Sequence, residues 1–188
     1  MAIEEEVATH RKWQGGDYRS YLEWMRDTIR IHQKYGLTER VFNSLIESAQ
    51  YNPGVEQTLK SVKRDQYEIV LISGGFRELA ARAQRLFSIQ HAFAACEYFF
   101  GENGQLTGFN LLPCDFEGKI DFIRLMIREY GLSDEDWIFV GDGANDVPIA
   151  KVAPVSVAYS AHPDLIKVST FRITDFTELS TILSSKLL

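Results

Sequence analysis

The sequence predicts an α/β protein in which a parallel sheet, covered on both faces by helices, stands beside a small helical cap. Three observations predict it. Short apolar runs, Tyr67-Glu68-Ile69-Val70-Leu71-Ile72, Trp137-Ile138-Phe139-Val140 and Val155 to Tyr159, alternate with helical patterns. Two of those runs end on glycine turns, Ser73-Gly74-Gly75 and Gly141-Asp142-Gly143, as buried strands of a parallel sheet do. The first third of the chain carries helical periodicity alone and does not join the alternation. The expected division is a cap over residues 1–52 and an α/β core over 53–188.

Taken in order, Gly15-Gly16 before Asp17 marks a turn, and a helix over 18–35 carries Tyr21, Leu22, Met25, Ile29 and His32 near helical spacing. Gly36 stops it. Thr38 caps a second helix with Val41, Phe42, Leu45 and Ile46 on one face. Asn52-Pro53-Gly54 breaks the chain ahead of a third helix from Gly54 to Lys63. After the strand ending at Ser73 comes a helix from Glu78 to Leu86. Two strands, Ala95 to Phe100 and Gln105 to Asn110, then flank the turn Gly101-Glu102-Asn103-Gly104. Gly118-Lys119 opens a helix, the strand 137–140 follows, and a short helix begins near Asp146. The strand 155–159, a helix over 164–168, a weak strand over 171–173 and a helix over 176–183 complete the chain.

Composition removes several function classes. Of 188 residues, 45% are hydrophobic and 24% charged, which excludes disorder and low complexity. Lys and Arg number 20 against 26 Asp and Glu, with no basic stripe, so nucleic acid is not an expected partner. No apolar run approaches the roughly 18 residues of a membrane span, and Met1-Ala2-Ile3-Glu4-Glu5-Glu6 is not a secretory signal. Two cysteines, Cys96 and Cys114, are too few for a disulfide framework or a thiolate zinc site, and a reduced, cytoplasmic setting is the simplest inference. Cys96 reads as packing and Cys114 as a loop residue.

The chemistry-bearing residues gather at strand ends, where ligands bind in open α/β sheets. Ser73-Gly74-Gly75 offers a hydroxyl and two unobstructed backbone amides, suited to an anion. Gly141-Asp142-Gly143-Ala144-Asn145-Asp146 places two carboxylates and an amide in one turn, oxygen donors of the kind Mg²⁺ takes. Lys119 supplies a point charge for a phosphate. Together these are the parts of a phosphate-transfer site, whose work is positioning and charge neutralisation.

The motifs resemble those of the haloacid dehalogenase (HAD) superfamily, in its phosphoserine-phosphatase-like branch. Leu71-Ile72-Ser73-Gly74-Gly75-Phe76 resembles the family's second motif, Lys119 its third, and Val140 to Asp146 its fourth. Val157-Ala158-Tyr159-Ser160-Ala161-His162-Pro163 is similar to a segment that follows in phosphoserine phosphatases, with Ser160 and His162 replacing the usual Asn and Lys. The resemblance implies a Rossmann-like three-layer core and a Mg²⁺-dependent phosphomonoester hydrolase acting on a small phosphorylated metabolite such as phosphoserine. It gives Ser73, with the Gly74 amide, a phosphate oxygen. It sets Lys119 between the phosphate and a nucleophilic aspartate, makes Asp142 a direct metal ligand, has Asp146 hold the metal or its waters, and has Asn145 steady the site. Arg26 is the candidate for meeting a substrate carboxylate: it lies near, but out of register with, the arginine that does so in phosphoserine phosphatases.

One motif of that family is absent from these 188 residues: the Asp-x-Asp-x-Thr whose first aspartate becomes phosphorylated and whose second moves protons. Asp134-Glu135-Asp136 alone has the spacing, with no strand before it and Trp137 after it. The resemblance puts the missing strand at the centre of the sheet, between those ending at Ser73 and Gly141. Its loss leaves two strand edges without partners, which favours self-association. Three explanations stand: a fragment or a late-starting sequence; a natural relative that lost its nucleophile and now binds or regulates; or another segment, such as one from a second copy, filling the gap. On any of them this chain alone is expected not to complete the aspartyl-phosphate reaction.

Overall fold

The computed structural model describes residues 2–62, 67–115 and 117–185. Four helices come first: α1 (Ala2–Gln14), α2 (Tyr21–Lys34), α3 (Glu39–Ser48) and α4 (Val55–Ser61). Helix α1 is an addition to the sequence-based expectation. It buries no residue and is tied to α2 by polar contacts, Glu5 to Lys34 and Tyr35 and Glu6 to His32, and by His10 and Trp13 stacking on Trp24. Ser20 caps α2 and Thr38 caps α3, each side-chain oxygen accepting from the amide three residues on. Gly16 and Gly36 hold left-handed conformations, with φ of 79° and 68°, which is why glycine ends each of those segments. The expected helix end at Lys63 lies outside the described residues.

The core follows as β1 (Val70–Phe76), α5 (Arg77–Phe87), β2 (His91–Phe100), β3 (Leu106–Leu111), α6 (Glu117–Glu129) and β4 (Ile138–Gly141). A 3-10 turn (Ala144–Asp146), α7 (Val147–Ala150), β5 (Val155–Tyr159), α8 (Pro163–Val168), β6 (Phe171–Ile173) and α9 (Leu179–Ser185) complete it. Strand β1 starts three residues later than its apolar run. Ladder pairing begins at Val70 with His91, while Tyr67 donates its hydroxyl to the Leu183 carbonyl at 2.8 Å.

The strands form two three-stranded sheets, β1-β2-β3 and β4-β5-β6. In the first, β1 and β2 are parallel and β2 and β3 form an antiparallel hairpin; the second is parallel throughout. Among the described residues, β1 and β4 each have a strand on one side only. Burial follows this division. Every residue of β5 is buried, whereas every residue of β1 and β4 is half-buried. Strand β5 is covered on both faces: Val157 and Tyr159 pack with Leu179 and Ile182 of α9, and Ala158 packs with Ala150 and Leu165 on the other face.

The cap helices rest on the hairpin. Met25 and Ile29 of α2 and Phe42 of α3 share one apolar cluster with Cys96, Tyr98 and Leu106. A backbone bridge from Thr38 to Gln105 and the Glu39 amide on the Gly104 carbonyl at 2.9 Å fasten the same junction. This docking sets α2 over the end of β1.

Candidate active site

The site grows from the carboxyl ends of β1 and β4 and the start of α6. In β1 the ladder to β2 shifts between Ser73 and Phe76, so two residues, Gly74 and Gly75, stand where β2 has one, Ala95. Such a bulge turns backbone groups out of the ladder. Ser73 Oγ accepts the Gly75 amide at 3.0 Å, bracing the loop from within. From the cap, the Tyr21 hydroxyl donates to the Gly74 carbonyl. Burial raises the Tyr21 phenol above its ordinary range, with the Asp115 charge the next cause, so the hydroxyl keeps its proton.

At the other strand end, the chain folds back on Asp146. One carboxylate oxygen, Oδ2, accepts the amides of Asp142 and Gly143, each at 3.1 Å. The other, Oδ1, accepts Lys119 Nζ at 2.7 Å. Glycine is required at 141, since a Cβ there would come within 2.6 Å of Asp146 Oδ2. Lys119 also stands 3.5 Å from Asp115 Oδ1, and the side chains of Lys119, Asp115 and Asp146 are only 9%, 6% and 4% exposed. Asn145 Nδ2 donates to the same Asp115 oxygen at 2.7 Å. A Cβ on Gly74 would collide with the Asp115 carboxylate, so that carboxylate lies against the glycine loop.

Ser73, Gly74, Lys119, Asn145 and Asp146 therefore share one connected cluster. Asp142 belongs to the same turn and is exposed, with its carbonyl accepting the His162 amide at 2.8 Å. Arg26 is exposed on α2, next to buried Met25, and no hydrogen bond or ion pair described for it reaches the cluster. Asp115 is the residue that sequence reasoning passed over. It precedes α6, outside any periodic segment, so no local pattern marked it.

The donor set is all oxygen, of the kind Mg²⁺ accepts while keeping most of its waters. Asp142 offers an exposed carboxylate, while both oxygens of Asp146 already take protein donors. Among the described residues, no group of three or more His, Cys, Asp or Glu is gathered as a metal cage. The residues thus fit a cation held by one direct carboxylate plus water. The described residues contain no helix long and apolar enough to cross a membrane.

Comparison with known proteins agrees with this geometry. The chain is 29% identical over 164 residues to a phosphoserine phosphatase of Lactococcus lactis, covering 87% of this chain and 74% of that protein. It is 26% identical over 157 residues to the phosphoserine phosphatase of Haemophilus influenzae, covering 82% of this chain but 48%, about half, of that protein. A solved structure described as a phospho-aspartyl intermediate analogue of phosphoserine phosphatase superposes with a TM-score of 0.81 at 23% identity, covering 95% of this chain and 85% of that one. That likeness carries the fold: the two half-sheets, cap and strand-end loops hold the arrangement of a Rossmann-like core. The family model for haloacid dehalogenase-like hydrolases matches residues 6–151, which take in the β1 bulge, Lys119 and the Asp142–Asp146 turn; the chain belongs to that family.

Proposed function

We propose that this chain carries the phosphate- and metal-binding half of a phosphomonoester hydrolase for a small phosphorylated metabolite, with phosphoserine the favoured substrate. The single observation that carries the reading is the cluster that joins Lys119 with the Ser73-Gly74-Gly75 bulge and the Asp142–Asp146 turn at adjoining strand ends. It sets a buried ammonium, a hydroxyl and the Gly74 amide where an anion would sit. The relatives named phosphoserine phosphatase favour that substrate.

In this reading Ser73 and the Gly74 amide hold phosphate oxygens. Lys119 neutralises the phosphate's charge, and Asn145, which steadies the site, is the fourth phosphate-binding group. Asp142 would hold Mg²⁺, and Asp146 would orient its waters while keeping Lys119 in place. When bound, the cation supplies further neutralisation of the phosphate. Arg26 would need to turn inward from the surface to meet a substrate carboxylate. A cytoplasmic location belongs to the same reading, supported by two cysteines that are both free thiols. So does the division into a cap over 1–52 and a core over 53–188, supported by the docking of α2 and α3 on the hairpin.

The 188 residues contain no Asp-x-Asp-x-Thr, and that observation favours a companion reading: the chain alone binds phosphate without turning it over. Amide NMR with O-phosphoserine and Mg²⁺ tests the shared premise. Shifts at Gly74, Gly75, Asp142 and Gly143 are expected. Shifts confined to other residues, or none at saturating ligand, would remove it.

A further inference from the structure

The phosphate seat contains a carboxylate of the protein's own. Asp115 belongs to the loop between β3 and α6, and its side chain is 6% exposed. Oδ1 takes the Asn145 amide at 2.7 Å and lies 3.5 Å from the Lys119 ammonium. The carboxylate also rests against Gly74, where no Cβ could be accommodated. Asn145, Lys119 and Gly74 are three of the four groups assigned to the phosphate. The fourth, Ser73, is linked to the same loop, since Cys114 Sγ donates to its carbonyl at 3.5 Å.

Charge sharpens the conflict. Lys119 already faces two carboxylates, Asp115 and Asp146, in a nearly closed space. A phosphate entering beside both adds negative charge where solvent screens it poorly. Asp146 is fixed by two amides as well as by Lys119. Asp115 lies farther from the ammonium, at 3.5 Å against 2.7 Å for Asp146.

We propose that Asp115 is a gate on the phosphate seat: its carboxylate stands in for the incoming phosphate, and the phosphate enters by displacing it from Asn145 and Lys119. The proposal rests on the phosphate reading above and assigns the residue that sets the seat's affinity. It makes Asp115 a positioning residue, since it holds the empty seat in its binding geometry.

The test is calorimetric titration of the chain with inorganic phosphate, without divalent cations. Asp115→Asn keeps the shape and an acceptor for Asn145 while removing the charge. It is expected to bind phosphate about tenfold more tightly, or better. Equal or weaker binding overturns the gate and leaves the phosphate reading standing. Absence of binding by both proteins overturns both. Tighter binding that survives Lys119→Met would put the phosphate elsewhere and also overturns the gate. A measurement on the unaltered chain needs no variant: saturating phosphate is expected to shift both the Asn145 side-chain amide and the Asp115 carboxyl resonance. A response at Gly74 with those two unchanged contradicts displacement.

Discussion

Lys119 Nζ lies 2.7 Å from Oδ1 of Asp146, a buried ion pair that joins the start of α6 to the turn after β4. Asp146 in turn takes two backbone amides, so the pair fixes the path of the whole 142–146 turn. Replacing Lys119 by Met leaves Asp146 and Asp115 buried without their ammonium. The expected loss is about 3 kcal/mol or more of folding stability. Urea denaturation at neutral pH checks it, and a variant as stable as the parent would show the pair to be dispensable.

Gly141 and Gly143 answer to the same turn. A Cβ at 141 meets Asp146 Oδ2 at 2.6 Å, and one at 143 collides with the Asn145 side chain. Gly141→Ala is expected to cost about 1–3 kcal/mol and to weaken phosphate binding together with stability. Thermal melts and phosphate titration on the same variant check it.

The two half-sheets predict an uneven pattern of amide exchange. Strand β5 has a strand on each side and is buried throughout, while among the described residues β1 and β4 each pair on one side and are half-buried. Amides of 155–159 are expected to outlast those of 70–73 and 138–141 in native-state exchange. Equal protection would mean that the open edges are covered in solution.

The thiols give a pH dependence. Burial, with the Glu78 charge second, pushes Cys96 up to about 12; burial, with Asp115 second, pushes Cys114 up to about 11. An unfolded thiol titrates near 8.5, so the folded state keeps these protons longer. Their contribution is therefore complete below about pH 8.5 and declines as pH rises toward the folded values. Urea midpoints followed upward from neutral pH are expected to fall in that window, and a rise there would contradict the burial. Both thiols should also resist a thiol reagent in the native chain and react once it is unfolded.

Much of this was legible in the sequence, for physical reasons. Strand ends followed by glycine are short-range signals, so Ser73, Asp142, Asn145 and Asp146 could be named from the turns that hold them, and Lys119 from the start of its helix. The cap at Thr38 and the break at Asn52-Pro53-Gly54 were legible because they too are local signals. Helix α1 left no such signal because it buries no residue and is held through distant partners, Glu5 and Glu6 through residues 26 to 30 positions away and His10 and Trp13 through Trp24. Asp115 sits in a loop without periodicity, and its contacts with Gly74 and Asn145 arise only when β1 and β4 come together. Arg26 shows the limit of motif register: one residue from Met25, the helix turns it to the surface.

The proposed function gives this chain a phosphate seat without the carboxylate that would attack the phosphorus. Hydrolysis of an aryl phosphate by the purified chain with Mg²⁺ tests it most directly. The account predicts no turnover above the metal-only blank. Clear turnover that disappears in Asp142→Ala would contradict it, because the nucleophile would then lie within these residues.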